Sequence, residues 1–127
     1  MDLSFFTTDK AKTFIGIDTC KNAKVSCGVD NKSYEAVKVA SVDAAKEKHV
    51  PVVEVNGSNV TVKVGSVAHP MDPDHYIAWI CVKTEKGFQF KNLQPGEKPE
   101  ANFVLTADDK FVAAYEFCNK HGVWVNK

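Results

Sequence analysis

Five side chains of this sequence have the types and positions expected of metal ligands. The four histidines, His49, His69, His75 and His121, each stand in a segment that reads as a loop or a strand end. Cys118 precedes the last of them by three residues. Because functional side chains are usually carried on loops that a rigid scaffold positions, these five residues are candidate ligands of one metal ion.

The mixture of donors indicates which metals such a site would hold. Imidazole suits iron, copper, nickel and zinc, and a thiolate favours the softer or redox-active metals. A set this rich in nitrogen is unusual for structural zinc. Each spacing pattern is weak by itself, since histidines at strand ends are mostly surface or hydrogen-bonding residues. Spacing alone therefore leaves both interpretations open.

The other three cysteines favour structural interpretations. Cys81 falls within a long apolar run and is predicted to be a small buried hydrophobe. Cys20 and Cys27 do not complete a metal site between them. The start of the chain has no secretory signal pattern, so thiols are favoured over disulfides and the cytoplasm is the expected location.

The elements that would position these ligands are predominantly strands. Seven short segments rich in β-branched and aromatic residues are separated by turn signals such as Asn56-Gly57, at 50–55, 60–64, 76–84, 88–90, 101–106, 110–118 and 123–125. This pattern predicts an all-β fold, an immunoglobulin-like antiparallel β-sandwich of about seven strands. A short helix is predicted over 41–47, capped by Ser41 and ended before Pro51. Residues 1–40 show little periodicity and are predicted to form an N-terminal extension to a main domain at 41–127.

Charge and the pattern of apolar residues argue against two partners, nucleic acids and membranes. Lysine plus arginine equals aspartate plus glutamate, at 16 each, which argues against a nucleic-acid surface. No apolar stretch approaches the ~18 residues of a membrane span.

Four motifs resemble the iron-site motifs of superoxide reductases, the neelaredoxin and desulfoferrodoxin family. They are Glu47-Lys48-His49-Val50-Pro51, the segment 65–71 ending in His69-Pro70-Met71, His75-Tyr76-Ile77, and Cys118-Asn119-Lys120-His121-Gly122. Their order and spacing match the family as well as their residues do, and the resemblance covers at least residues 41 to 124.

The resemblance implies one mononuclear iron with a five-coordinate ligand set. His49, His69 and His75 would bind through Nε2 and His121 through Nδ1, with the Cys118 thiolate axial. The sixth position would be open in the ferrous state. Glu47 would ligate the ferric ion, and Lys48 would lie beside the open position.

The implied activity is the one-electron reduction of superoxide to hydrogen peroxide. Lys48 would attract the anion and order a water for proton delivery, and an external donor such as rubredoxin would return the electron. A homo-oligomer, dimer or tetramer, is expected. The first 40 residues resemble the remnant of a desulforedoxin-like domain, but the CxxC of that domain is absent, which implies a single-iron type.

Two other functions remain possible from sequence. The same ligands could serve a non-enzymatic iron protein for electron transfer, if Glu47 kept the sixth position closed. A plain β-sandwich binding module with scattered histidines is the third. Metal analysis separates this module from the iron proteins, and superoxide turnover separates the reductase from the electron-transfer protein.

Overall fold

The computed structural model describes residues 2–9, 12–18, 35–39 and 46–126. The chain divides into two compact units, Met1–Lys38 and Val39–Lys127. The relation of residues 1–40 to an iron-binding module stays a prediction, and Cys20 and Cys27 lie outside the described residues.

The first unit contains a three-stranded antiparallel sheet that the sequence did not predict. Its strands are β1 (Asp2–Asp9), β2 (Lys12–Asp18) and β3 (Glu35–Ala36), in the order β2-β1-β3. Phe5 of β1 is buried and its carbonyl accepts a hydrogen bond from the Val37 amide. The strands were missed because the sequence of β1 has two adjacent phenylalanines followed by two threonines and an aspartate. This order breaks the alternation of apolar and polar residues that marks a half-buried strand.

Over residues 46–126, the second unit contains seven strands and one helical turn. The helix α1 is Lys46–His49; the strands are β4 (Pro51–Asn56), β5 (Asn59–Val64), β6 (Ile77–Thr84), β7 (Phe88–Asn92), β8 (Glu100–Val104), β9 (Phe111–Cys118) and β10 (Gly122–Asn126). They form two antiparallel sheets, in the orders β10-β9-β6-β7 and β4-β5-β8. The predicted all-β fold is confirmed.

The core of this unit consists of alternating side chains from both sheets. One sheet contributes valines of β5 and residues of β8, and the other contributes residues of β6 and β9: Val60, Val62, Val64, Ala101, Phe103, Ile80, Val82 and Ala114. All are at most 5% exposed. Successive side chains of a strand point to opposite faces, so this alternation defines which residues of β9 and β10 face inward.

Local signals explain two connections. The β4–β5 hairpin closes through the pair Asn56 and Asn59, with Gly57 at φ 59°, as its turn residues predict.

The described helix lies at 46–49, later than the predicted 41–47, whose first residues, Ser41 included, lie outside the described part. Helix α1 ends at His49, two residues before Pro51. Within the described ranges, no helix is long and apolar enough to cross a membrane.

Candidate metal centre

His49 is the last residue of α1. It is buried, at 4% exposure, and lies two residues before the start of β4 at Pro51. Its ring stacks on Trp124 of β10 with 4.7 Å between ring centroids and 18° between planes. The imidazole is therefore held between the end of α1 and the indole of Trp124.

The loop between β5 and β6 presents two further imidazoles. The His69 amide donates to the Val64 carbonyl at 3.2 Å, which holds the loop against the end of β5. Asp72 and His75 exchange two backbone hydrogen bonds of 3.0 Å. His69 Nδ1 lies 2.7 Å from the Pro70 carbonyl, so this nitrogen carries the proton and Nε2 is left as an acceptor.

The turn between β9 and β10 carries the thiol and the fourth imidazole. Cys118 is the last residue of β9 and is fully buried, whereas His121 is exposed. Gly122 follows with φ 83°, a left-handed conformation that returns the chain into β10. Cys118 Sγ lies 3.5 Å from His121 Nδ1 as a result.

The four imidazoles form a closed ring. Neighbouring ring centroids are 4.9 Å apart for His49 and His69, 4.7 Å for His69 and His75, 5.0 Å for His75 and His121, and 4.7 Å for His121 and His49. Each ring is edge-on to the next, with interplanar angles from 68° to 83°. With Cys118 Sγ, all five candidate donor atoms lie within 4.8 Å of one another.

The nitrogens inside this ring have the properties of vacant acceptors. The Nε2 atoms of His69 and His75 are buried and have no hydrogen-bond partner in the described part of the chain. His49 Nε2 and His121 Nδ1 face each other at 2.9 Å. Buried polar atoms are nearly always paired, so two orphaned nitrogens converging on one point fit a cation that they would coordinate.

The electrostatics of the site favour ligation by neutral imidazole. Burial lowers the pKa of His69 to about 4 and also lowers the pKa of His75. Both imidazoles are therefore deprotonated near pH 7, the form that binds metals. Burial raises the pKa of the Cys118 thiol, and hydrogen bonds from the backbone at Lys120 and His121 act in the opposite direction and lower it. A bound cation would favour the thiolate over the thiol.

The structure brings together all five residues that the sequence singled out as ligands. Lys48 is exposed and directly precedes His49 in α1. The backbone of Glu47 belongs to the same helical turn, but its side chain lies outside what the structure describes. The prediction for Cys81 as a buried hydrophobe is confirmed, because it is fully buried and desolvation raises its pKa to about 12.

Three residues around the site were not predicted. Trp124 stacks on His49, and Asn119 bonds to the backbone beside His75. Glu116 is fully buried on the same face of β9 as Cys118, and burial raises its pKa well above the usual range. A carboxylate within the apolar run of β9 was the available signal for Glu116. Asn119 belongs to the motif at 118–122, which gave it no role, and nothing in the sequence marked Trp124.

Comparison with known proteins points to one family. Residues 41–127 match the Desulfoferrodoxin family. A desulfoferrodoxin homolog of Archaeoglobus fulgidus is 48% identical over 79% of this chain and 76% of its own length, and a desulfoferrodoxin of Clostridium acetobutylicum is 33% identical over 97% and 94%. The crystal structure of the superoxide reductase from Treponema pallidum is 56% identical, covers 100% of both chains and superposes with a TM-score of 0.82.

Proposed function

We propose, from the premise that this chain belongs to the desulfoferrodoxin family, that it reduces superoxide to hydrogen peroxide at a mononuclear iron. The family predicted from four sequence motifs is confirmed, and relatives of this chain are named superoxide reductases, which are oxidoreductases. The observation that carries the proposal is the convergence of four imidazoles and one buried thiol, whose donor atoms all lie within 4.8 Å of one another.

The proposed ligands are His49, His69 and His75 through Nε2, His121 through Nδ1, and the Cys118 thiolate. The orphaned nitrogens of His69 and His75, and the bond from His69 Nδ1 to Pro70, support this choice of atoms. Bound there, a redox-active iron would supply the single electron that superoxide takes up, and an electron-rich thiolate would favour that transfer.

The proposed roles of Glu47 and Lys48 concern the substrate side of the site. Lys48 is exposed one residue before a ligand, where an ammonium group can draw in a small anion and order a water that delivers a proton. Glu47 would offer its carboxylate to the oxidised metal and withdraw when the metal is reduced. Both roles follow from the resemblance of Glu47-Lys48-His49 to the family motif.

The overall reaction requires a partner that supplies electrons. Superoxide, one electron and two protons give hydrogen peroxide, so each turnover leaves the protein oxidised by one electron. An external one-electron donor such as rubredoxin would restore it. We further propose a cytoplasmic homo-oligomer with one iron per chain, in which residues 1–40 form an extension without an iron site of its own.

The decisive experiment combines metal analysis with pulse radiolysis of the reduced protein. One iron per chain, a coloured oxidised form and a fast second-order reaction with superoxide that yields peroxide are expected. A colourless zinc protein from iron-replete cells, or two irons per chain, would contradict the proposed site. Iron that is bound but inert toward superoxide would favour the electron-transfer alternative.

A further inference from the structure

The side chain of Asn119 contacts the backbone on both sides of a proposed ligand. Its Oδ1 accepts a hydrogen bond of 3.0 Å from the Tyr76 amide, and its Nδ2 donates one of 3.1 Å to the Asp74 carbonyl. These two groups belong to the peptide units immediately before and after His75. A single amide side chain therefore spans the ligand from one peptide unit to the next.

Asp72 completes the set of contacts around the same two peptide units. The His75 amide donates to the Asp72 carbonyl, and the Asp72 amide donates to the His75 carbonyl, each at 3.0 Å. All four polar groups of the two units are thus paired, two with Asp72 and two with the Asn119 side chain. Because the backbone φ and ψ set the direction of the Cα–Cβ bond and limit the allowed rotamers, these four bonds restrict where the His75 imidazole can point.

Asn119 also lies between the two proposed ligands in the turn that joins β9 to β10. It follows Cys118 directly and precedes His121 by two residues, and its own amide donates to the Tyr76 carbonyl at 3.2 Å. Its side chain thereby joins the turn that carries the thiol and one imidazole to the loop that carries two imidazoles. The register of β6 and β9 brings Ile77 opposite Cys118, and Asn119 extends this connection into the ligand loop.

We propose that Asn119 is a positioning residue of the metal site, which orients His75 toward the other ligands before the metal binds. The inference rests on the proposed function, since it concerns the same five ligands. Residues that orient metal ligands typically contribute ten- to a hundredfold to affinity. We therefore expect Asn119→Ala to weaken metal binding by about that factor.

The neighbouring ion pair offers a contrast that isolates the amide. Lys120 Nζ lies 3.1 Å from an Asp74 carboxylate oxygen, so it joins the same two segments. Both side chains are largely exposed, at 47% and 79%, and an exposed ion pair contributes little. Lys120→Ala should change metal affinity by less than about threefold.

The test uses Co²⁺ as the probe on the metal-free full-length protein, with affinity measured by competition against a chelator. Asn119→Ala is compared with wild type, with Lys120→Ala and with Asn102→Ala, which removes an exposed asparagine bonded to Thr61 at 2.9 Å. The free energy of unfolding of each metal-free protein is measured in parallel. A merely structural asparagine would lower this stability and leave the Co²⁺ affinity unchanged.

A double-mutant cycle with His75 tests the orientation directly. If Asn119 acts through His75, then His75→Ala should lower Co²⁺ affinity strongly in wild type and much less in the Asn119→Ala background. Additive losses would overturn the inference. Should Asn119→Ala not fold, Asn119→Asp, which keeps the acceptor for Tyr76 but loses the donor to Asp74, is measured in high salt and should still bind more weakly than wild type.

The outcomes separate the two proposals. Wild-type protein that binds Co²⁺, with Asn119→Ala binding it equally well, overturns the role of Asn119 and leaves the proposed function standing. Wild-type protein that fails to bind Co²⁺ at all overturns the metal site and this inference with it.

Discussion

At the level of single residues, two equally buried cysteines have opposite surroundings. Cys81 and Cys118 are both fully buried, on the adjacent strands β6 and β9. Cys118 belongs to the core face and lies beside His121, whereas Cys81 is paired with Tyr115 on the other face of the sheet. Desolvation raises the pKa of both thiols, but only at Cys118 do backbone hydrogen bonds oppose it. Position on the pleat, not burial, distinguishes the candidate ligand.

The first prediction follows from this contrast. Cys118→Ser should abolish the colour of the oxidised iron protein and lower superoxide turnover strongly, because it removes the soft donor and leaves four imidazoles. The fold should be largely retained, since the core is built from apolar strands. Cys81→Ser makes the same atomic exchange at the other of these two buried cysteines and should keep colour and turnover. Wild-type turnover in Cys118→Ser would show that the thiolate is not a ligand.

The second prediction concerns Lys48 in a chain of zero net charge. For superoxide ~7 Å from the ammonium, at an effective dielectric of ~20 to ~80, Coulomb's law gives roughly 0.6 to 2.4 kcal/mol. Lys48→Ile should therefore slow the second-order reaction by about three- to sixtyfold and flatten its dependence on ionic strength. Both are measured by pulse radiolysis over a range of salt concentrations.

Lys110 supplies the control for this measurement. It is exposed and directly precedes β9, the strand that ends at Cys118, so at ~3.4 Å per residue it lies about 27 Å along the strand from the site. That distance exceeds the Debye length of ~10 Å in 0.1 M salt. Lys110→Ile should leave rate and salt slope nearly unchanged; if Lys48→Ile does the same, Lys48 does not steer superoxide.

At the level of elements, the turn between β9 and β10 depends on one glycine. Gly122 has φ 83°, and a Cβ built there would meet no atom of the described residues within 4 Å apart from its chain neighbours. Substitution by alanine is therefore opposed by backbone strain and not by crowding. The strain of a left-handed L-residue is about 1–2 kcal/mol.

The third prediction uses this distinction. Gly122→Ala should lower the free energy of unfolding of the metal-free protein by about 1 kcal/mol. Gly87→Ala is the matched control, because its added Cβ also meets nothing and its φ is outside the left-handed region. It should change stability by less than about 0.5 kcal/mol in urea unfolding. Equal effects of the two substitutions would show that strain at Gly122 is unimportant.

Elements of the second unit were largely predictable, and those of the first were not. All seven strands of the sandwich were found because their segments are rich in β-branched or aromatic residues and the connections between them contain Asn, Gly, Pro or Asp. β1 and β2 lack that regularity. The five candidate ligands were singled out by side-chain chemistry and by four motifs that resemble those of a known family, whereas no sequence pattern reports the bonds of Asn119 to backbone groups of Asp74 and Tyr76.

At the level of the whole molecule, the site joins segments far apart in the chain. Its donors come from the end of α1, the loop before β6 and the turn after β9, from residue 49 to residue 121. An unfolded chain cannot hold these donors together, so metal binding favours the folded state.

The fourth prediction is that removing the metal lowers the melting temperature. A ligand at 1,000 times its dissociation constant stabilises the folded state by about 4 kcal/mol, which corresponds to roughly 10 °C or more for a chain of this size. Scanning calorimetry of metal-loaded and metal-free protein measures the difference. His75→Ala should show a much smaller difference, and an equal one would place the metal elsewhere.

The stacking of Trp124 on His49 gives the molecule an internal optical reporter. The chain has two tryptophans, and the other, Trp79, packs against Phe90 and Phe117 on the opposite face of the same sheet. Light emitted by the indole at 4.7 Å from the His49 ring should be quenched more strongly when a paramagnetic ion arrives than light from the indole on the opposite face. Metal binding can then be followed by fluorescence in unlabelled protein. Trp124→Phe is the reference, because it lacks the indole that stacks on His49 and its emission should change much less.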